Sequence, residues 1–85
     1  MKNLERYLRA LANKRRLTIM QFLKKERRAT VGEIARAINL SVKSTSKHLL
    51  KLGAADLVDS DQQSINVWYK LAPPPKSVSS IISCL

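Results

Sequence analysis

The segment TVGEIARAINLSVKSTSKHLLKL, Thr30–Leu52, decides how the chain is read. Thr30 and Glu33 have the T-x-x-E spacing of a capping box, where a hydroxyl and a carboxylate satisfy backbone N–H groups at a helix start. Val31, Ile34, Ala35 and Ile38 recur at helical spacing, so a helix runs to about Ile38 with those residues inward. Asn39 and Leu40 then make a tight turn. Ser41 is the N-cap of a second helix, which runs to about Leu52, with Gly53 as its stop signal.

The composition of that second helix is odd for a core element. Ser41, Ser44, Thr45 and Ser46 are indifferent helix formers, and Lys43, Lys47 and His48 bring charge. On a wheel of 100° per residue, Thr45, Leu49 and Leu52 cluster on one side and pack inward. Lys43 and Lys47 lie almost opposite, Val42 and Ser46 form one flank, and Ser44 and Lys51 form the other. An apolar back and a front of short hydroxyls and long cations suit a B-DNA major groove, which admits one helix. Lysines donate to guanine O6 and N7 or to phosphates, serines serve base edges or backbone oxygens, and Val42 offers a methyl surface to thymine. The helix start adds unpaired N–H groups for a phosphate. His48 lies at the edge of the buried face, where a DNA contact, packing and a phosphate contact all fit. Leu50 falls on the outward side.

Upstream, Leu4, Leu8 and Leu11 recur at i, i+4, i+7 and predict a short amphipathic helix. Asn13 caps a helix from Lys14 to about Lys25, with Leu17, Met20 and Leu23 inward and Ile19 and Phe22 nearby. The run KKERR at 24–28 reads as a solvated helix end or loop. Downstream, the period changes to two. DLVDS and INVWYKL read as short strands, with Ile65, Val67, Tyr69 and Leu71 on one face, and the polar DSDQQS reads as the loop between them. Pro73–Pro75 form a linker, and Val78, Ile81, Ile82 and Leu85 have the spacing of a last helix. The predicted fold is mainly α with a small β-hairpin: a winged helix-turn-helix, α-α-α-α-β-β plus a C-terminal helix. Residues 1–72 form the winged domain, and 73–85 the linker and final helix.

The 85 residues carry 16 Lys and Arg against six Asp and Glu, a net charge of +10. Residues 1–51 hold 14 of those cations and three of the acids, whereas 52–85 hold Lys70 and Lys76 against Asp56, Asp59 and Asp61. One part of the chain suits a polyanion, and nucleic acid is the leading class. Cys84 has neither a disulfide partner nor a second zinc ligand, which points to a reducing, cytoplasmic setting. No apolar run approaches the ~18 residues of a membrane span, and Arg6, Arg9 and Lys14–Arg16 interrupt any signal-peptide core.

These stretches resemble the ArsR/SmtB family of winged-helix repressors over about residues 4–71. LRALANKRRLTIMQFL resembles the family's L-x-A-L-A-[DN]-P-x-R-x-x-I-L-x-x-L through Leu8, Ala10, Leu11, Ala12, Asn13, Arg16, Ile19, Met20 and Leu23. The opening segment resembles V-x-E-L-A-x-x-L-x-L-S-x-S-T-V-S-x-H-L-x-x-L, most tellingly at Ser41, Ser46, His48, Leu49 and Leu52. VWYKL resembles the closing V-Y-Y-x-L strand. The resemblance implies a homodimeric, sequence-specific regulator of double-stranded DNA, usually a repressor; separately, no cofactor is expected. It implies that the first and last helices form the interface, here Leu4, Leu8 and Leu11 with Val78, Ile81, Ile82 and Leu85. A helix beyond three prolines also has little core of its own to join.

The chain departs from the pattern in places. Where metal-sensing members have Cys-x-Cys, it has Thr30 and Gly32, and residues 76–85 contain no Asp, His or Glu, so no metal is expected. Asp56 replaces a glycine that favours a left-handed backbone. The wing carries Asp59 and Asp61, which phosphates repel, leaving Gln62 or Gln63 to contact the DNA backbone. A different class of function, a winged-helix module binding protein or RNA through the basic face, predicts affinity without sequence dependence. With one histidine, no Gly-rich loop and no spaced catalytic set, an enzyme is not expected.

Overall fold

The computed structural model describes residues 2–85. The elements in chain order are α1 (Lys2–Leu11), α2 (Lys14–Glu26), β1 (Arg28–Thr30), α3 (Val31–Ile38), α4 (Val42–Ala54), β2 (Val58–Gln63), β3 (Asn66–Leu71) and α5 (Lys76–Ser83). The three strands form one antiparallel sheet in the order β1-β3-β2.

Side-chain caps set the helix starts where the spacing places them. Asn13 Oδ1 accepts the Arg16 N–H at 3.1 Å and opens α2. At α3, Glu33 donates its N–H to Thr30 Oγ1, and Glu33 Oε1 accepts the Thr30 N–H at 2.9 Å, which completes the capping box. Asn39 ends α3 in the left-handed conformation at φ 55°, which asparagine tolerates better than most residues. Arg15 of α2 donates to the Ile38 carbonyl at 2.8 Å, locking the same turn from outside. Ser41 Oγ accepts the Ser44 N–H and starts α4.

Gly53 does not stop α4. The helix passes through it to Ala54, and Gly53 has no positive φ. The left-handed residue is Asp56, at φ 60°, and the Leu57 N–H closes the turn on the Leu52 carbonyl at 2.9 Å. Arg6 of α1 holds the Asp56 carboxylate at 2.9 Å.

The hairpin also differs from expectation. β2 continues through Asp61, Gln62 and Gln63, so the turn is only Ser64–Ile65, with Ser64 at φ 59°. Ile65 sits at the tip, 91% exposed, and not on the face of Val67, Tyr69 and Leu71. Only Val58 of β2 is buried, so no alternation of apolar residues announces the strand. The run at 24–28 does hold the end of α2, but its last residue, Arg28, opens β1, whose register pairs Ala29 with Tyr69. Ala29 is the buried residue that anchors it.

The core is aliphatic. Ile19, Met20 and Leu23 of α2, Ile34 of α3, Leu49 and Leu52 of α4, Leu57 and Val78 are all fully buried. Each such side chain contributes about 1.5–3 kcal/mol by leaving water. On α1 the inward residues are Leu4, Tyr7 and Leu11, whereas Leu8 is 43% exposed. α5 folds back onto α1 and buries Val78 and Ile82 in the same core as Tyr7 and Leu11. Lys24 of α2 secures its end by donating to the Ser83 carbonyl at 2.6 Å. The tail therefore joins the chain's own core, contrary to the expectation that it had little core of its own to join.

Candidate nucleic-acid interface

α4 carries the arrangement that its spacing predicts. Thr45, Leu49 and Leu52 are buried; Ser41, Val42, Lys43, Lys47 and Lys51 are exposed; Ser44, Ser46 and His48 are half-buried. Val42 is 51% exposed and brings an apolar surface beside two lysines. The helix has no carboxylate, so nothing on it neutralises the lysine ridge. The hydroxyls at its start and along it have three different fates. The Ser41 hydroxyl is spent on the cap. The Thr45 hydroxyl is buried without a hydrogen-bond partner among the described residues. Ser44 and Ser46 have no side-chain hydrogen bond to a described residue and keep some exposure.

His48 is set apart from the lysines. Burial lowers its pKa below the ordinary 6.5, and the positive charges of Arg16, Lys51 and Arg15 lower it further. Its Nδ1 is buried without a partner among the described residues. Burial and the neighbouring charges both favour the neutral imidazole.

The hairpin lies beside α4, and its register sorts the wing residues. Residues paired across strands share a face. Val58, Ser60 and Gln62 share one with Tyr69, Val67 and Leu71, while Asp59, Asp61 and Gln63 share the other with Lys70, Trp68 and Asn66. Gln63 donates its side-chain amide to Asp61 Oδ2 at 3.0 Å, while Gln62 has no such partner. The two glutamines, alike in sequence, thus point to opposite faces. Asp59 lies opposite Lys70, and Asp61 lies opposite Trp68, whose ring sits 4.5 Å beneath the Arg28 guanidinium.

A cleft of about 860 Å³ separates α4 from the hairpin. Leu50, 74% exposed, lies on its edge with Leu49, Gly53 and Val58, which accounts for the apolar side chain on the outward side of the helix. Leu50 is not among the site residues expected from the sequence, and neither are Arg6, Arg9, Arg15 and Arg16, cations of α1 and α2 that the fold brings near the flank of α4. Only the topology brings them together, since Arg6 and Lys51 are 45 positions apart.

Several of the residues expected at an interface on α1 and α5 are taken up by the chain's own core. Leu11, Val78 and Ile82 are buried within the chain. Leu4, Leu8, Ile81 and Leu85 keep accessible surface, and Leu4 and Leu8 border a shallow apolar groove with Ala12. No helix among the described residues is long and apolar enough to cross a membrane.

Known proteins share this arrangement. NolR of Rhizobium meliloti, a nodulation protein, is 40% identical over 63 residues, which are 74% of this chain and 51% of that protein. The chain therefore spans about half the length of that relative. The structure of reduced HlyU from Vibrio cholerae N16961 superposes with a TM-score of 0.86 at 31% identity, covering 99% of this chain and 85% of that one. Mb0332 of Mycobacterium bovis, described as a homodimeric winged helix-turn-helix DNA-binding domain and a possible ArsR-family regulator, gives 0.85 at 26% identity over 98% of this chain and 74% of that one. Residues 13–60, from the cap of α2 to the middle of β2, match the bacterial regulatory protein, arsR family. With that match over more than half its length, the chain belongs to the ArsR family of bacterial regulators, with the winged helix-turn-helix fold of its relatives.

Proposed function

We propose that the protein is a homodimeric, sequence-specific DNA-binding repressor that places α4 of each protomer in successive major grooves of a palindromic operator. The observation that carries this reading is the ridge of α4. Lys43 and Lys47 stand exposed on a helix without a carboxylate, anchored from behind by Thr45, Leu49 and Leu52. Ser44 and Ser46 supply adaptable hydrogen bonds to base edges, Val42 supplies apolar contact, and Lys51 faces a phosphate. Gln62 serves the DNA backbone from the wing. Neutral His48 packs at the edge of the ridge and adds no charge to it.

A homodimer is supported by the accessible leucines of α1 and by the homodimeric state described for the M. bovis relative. Leu4 and Leu8 of α1 with Ile81 and Leu85 of α5 supply its apolar surface. Two-fold symmetry then sets half-sites about one helical turn apart.

Selection of bound duplexes from a random pool tests the reading. A palindrome should emerge, and it should outcompete random duplex by about 10³-fold or more at physiological salt. Affinity that varies with salt but not with sequence would instead favour a module that binds RNA or protein through the same basic face. Leu8→Glu, at an exposed position, should leave the fold intact and give monomers in sedimentation. A variant that stays dimeric would remove α1 from the interface.

A further inference from the structure

Positive charge is also concentrated beyond the ridge of α4. The middle of α1, the start of α2 and the last turn of α4 meet around a pocket of about 360 Å³. It is lined by Arg6, Arg9, Arg16 and Lys51 together with Ala10, Ala54 and Ala55. Arg6 is paired with Asp56, and Arg9 with Glu5 one turn earlier on α1. Both pairs are exposed to solvent, so each binds its arginine weakly.

Arg16 differs from these two. It is only 9% exposed and donates Nε to the Ala10 carbonyl at 2.5 Å, at the end of α1. That bond occupies one of five guanidinium donors. Among the described residues it has no carboxylate and no second hydrogen-bond acceptor, and Lys51 has no carboxylate either. The remaining donors of Arg16 keep access to solvent, and so to an anionic ligand. Arg16 and Lys51, which have no carboxylate partner among the described residues, leave the pocket with net positive charge that an anion would offset.

We propose that this pocket is a phosphodiester site that grips the DNA backbone beside the groove entered by α4, extending contact into the sequence flanking each half-site. The assignment rests on the reading of α4 as the groove-entering helix. Lys51 makes the connection, because it lines this pocket and also the surface of Ser44, Lys47 and His48, so the two are contiguous. His48 sits in the same field, with Arg15 and Arg16 of α2 and Lys51 of α4 acting on it. As the chain's single histidine, it reports an anion arriving there, because a phosphate opposes those cations and raises its titration midpoint.

The test uses the full chain and two duplexes centred on the selected sequence, one trimmed to the half-sites and one with about ten base pairs added at each end. Arg16→Ala is avoided, because Arg16 also holds the end of α1. The double variant R6Q/R9Q changes only exposed side chains. On the long duplex it should bind about five- to tenfold more weakly, with a salt slope smaller by about 1–2 for one or two lost phosphates. On the trimmed duplex it should match the wild type within about twofold, and the ratio of selected to random affinity should not change, since backbone contacts carry no sequence information. A loss equal on both duplexes, or no loss on either, overturns the proposal. So does a rise in the His48 midpoint with inorganic phosphate alone, if no length effect accompanies it, because the site would then belong to a free anion. A wild type that does not distinguish selected from random duplex counts against α4 as the reading helix. The length effect remains readable in that case, so the two failures are distinguishable.

Discussion

α4 and the β2–β3 hairpin border one cleft, and they carry charge in opposite ways. The helix has Lys43, Lys47 and Lys51 without a carboxylate, while β2 has Asp59 and Asp61 without a cation. Read along the chain, that looks like a helix made for DNA beside a wing that DNA repels. The pleat of the sheet changes the comparison. Asp59 and Asp61 share a face with Lys70, Trp68 and Arg28, while Ser60 and Gln62 share the face of buried Val58. A helix spreads its residues over a wheel, but a strand sends neighbours to opposite sides. The sign of a strand's charge therefore says little until its register is known.

The largest expected contrast is between the two elements' charges. Lys43→Ala and Lys47→Ala should each cost about 1–3 kcal/mol of operator binding where the lysine reads a base, confined to the selected sequence. Asp59→Asn and Asp61→Asn should change it by less than about threefold. Fluorescence anisotropy on matched duplexes decides, and similar effects from both pairs would break the contrast.

Gly53→Ala sharpens the account of the helix. A β-carbon there meets only the Val58 carbonyl oxygen, at 4.0 Å, and the backbone is already helical. Stability should rise by about 0.5–1 kcal/mol, and the melting temperature by several degrees. A fall would mean that α4 needs glycine to end. Within the wing, Gln62→Ala should weaken binding a few-fold on every duplex, and Gln63→Ala less, because Gln63 is engaged with Asp61. The reverse order would place the other face of the hairpin toward DNA.

The smallest effect concerns His48. Its folded pKa lies below 6.5, so the unfolded chain takes up the proton first as pH falls. The stability contribution is complete above about 6.5 and is lost as pH drops through the lowered folded value. The urea midpoint should decline as the solution is acidified below about pH 6.5, and less so in His48→Gln.

How much of this was legible in the sequence depended on the reach of the interactions. The caps at Asn13, Thr30 and Ser41 bind groups three residues away, so spacing alone revealed them. The back and front of α4 followed from its periodicity. β1 was not legible, since three residues between a basic run and a helix cap have no period and need β3 to define them. Ile65 misled because its apolar side chain fits the alternation of β3, while the two-residue turn expels it. Tyr7 took the inward place expected for Leu8, and Asp56 took the stopping role expected for Gly53. The arginine-lined pocket depends on three helices converging, and no local pattern encodes that.

Thr30 belongs to two elements at once. It ends β1 opposite Trp68, and it caps α3 through Glu33. The first turn of the helix-turn-helix and the anchored edge of the wing are thus sewn to a single residue. Backbone amides of β3 and of the start of α3 should exchange with solvent as one cooperative unit, so the wing does not flap independently of the helices it accompanies.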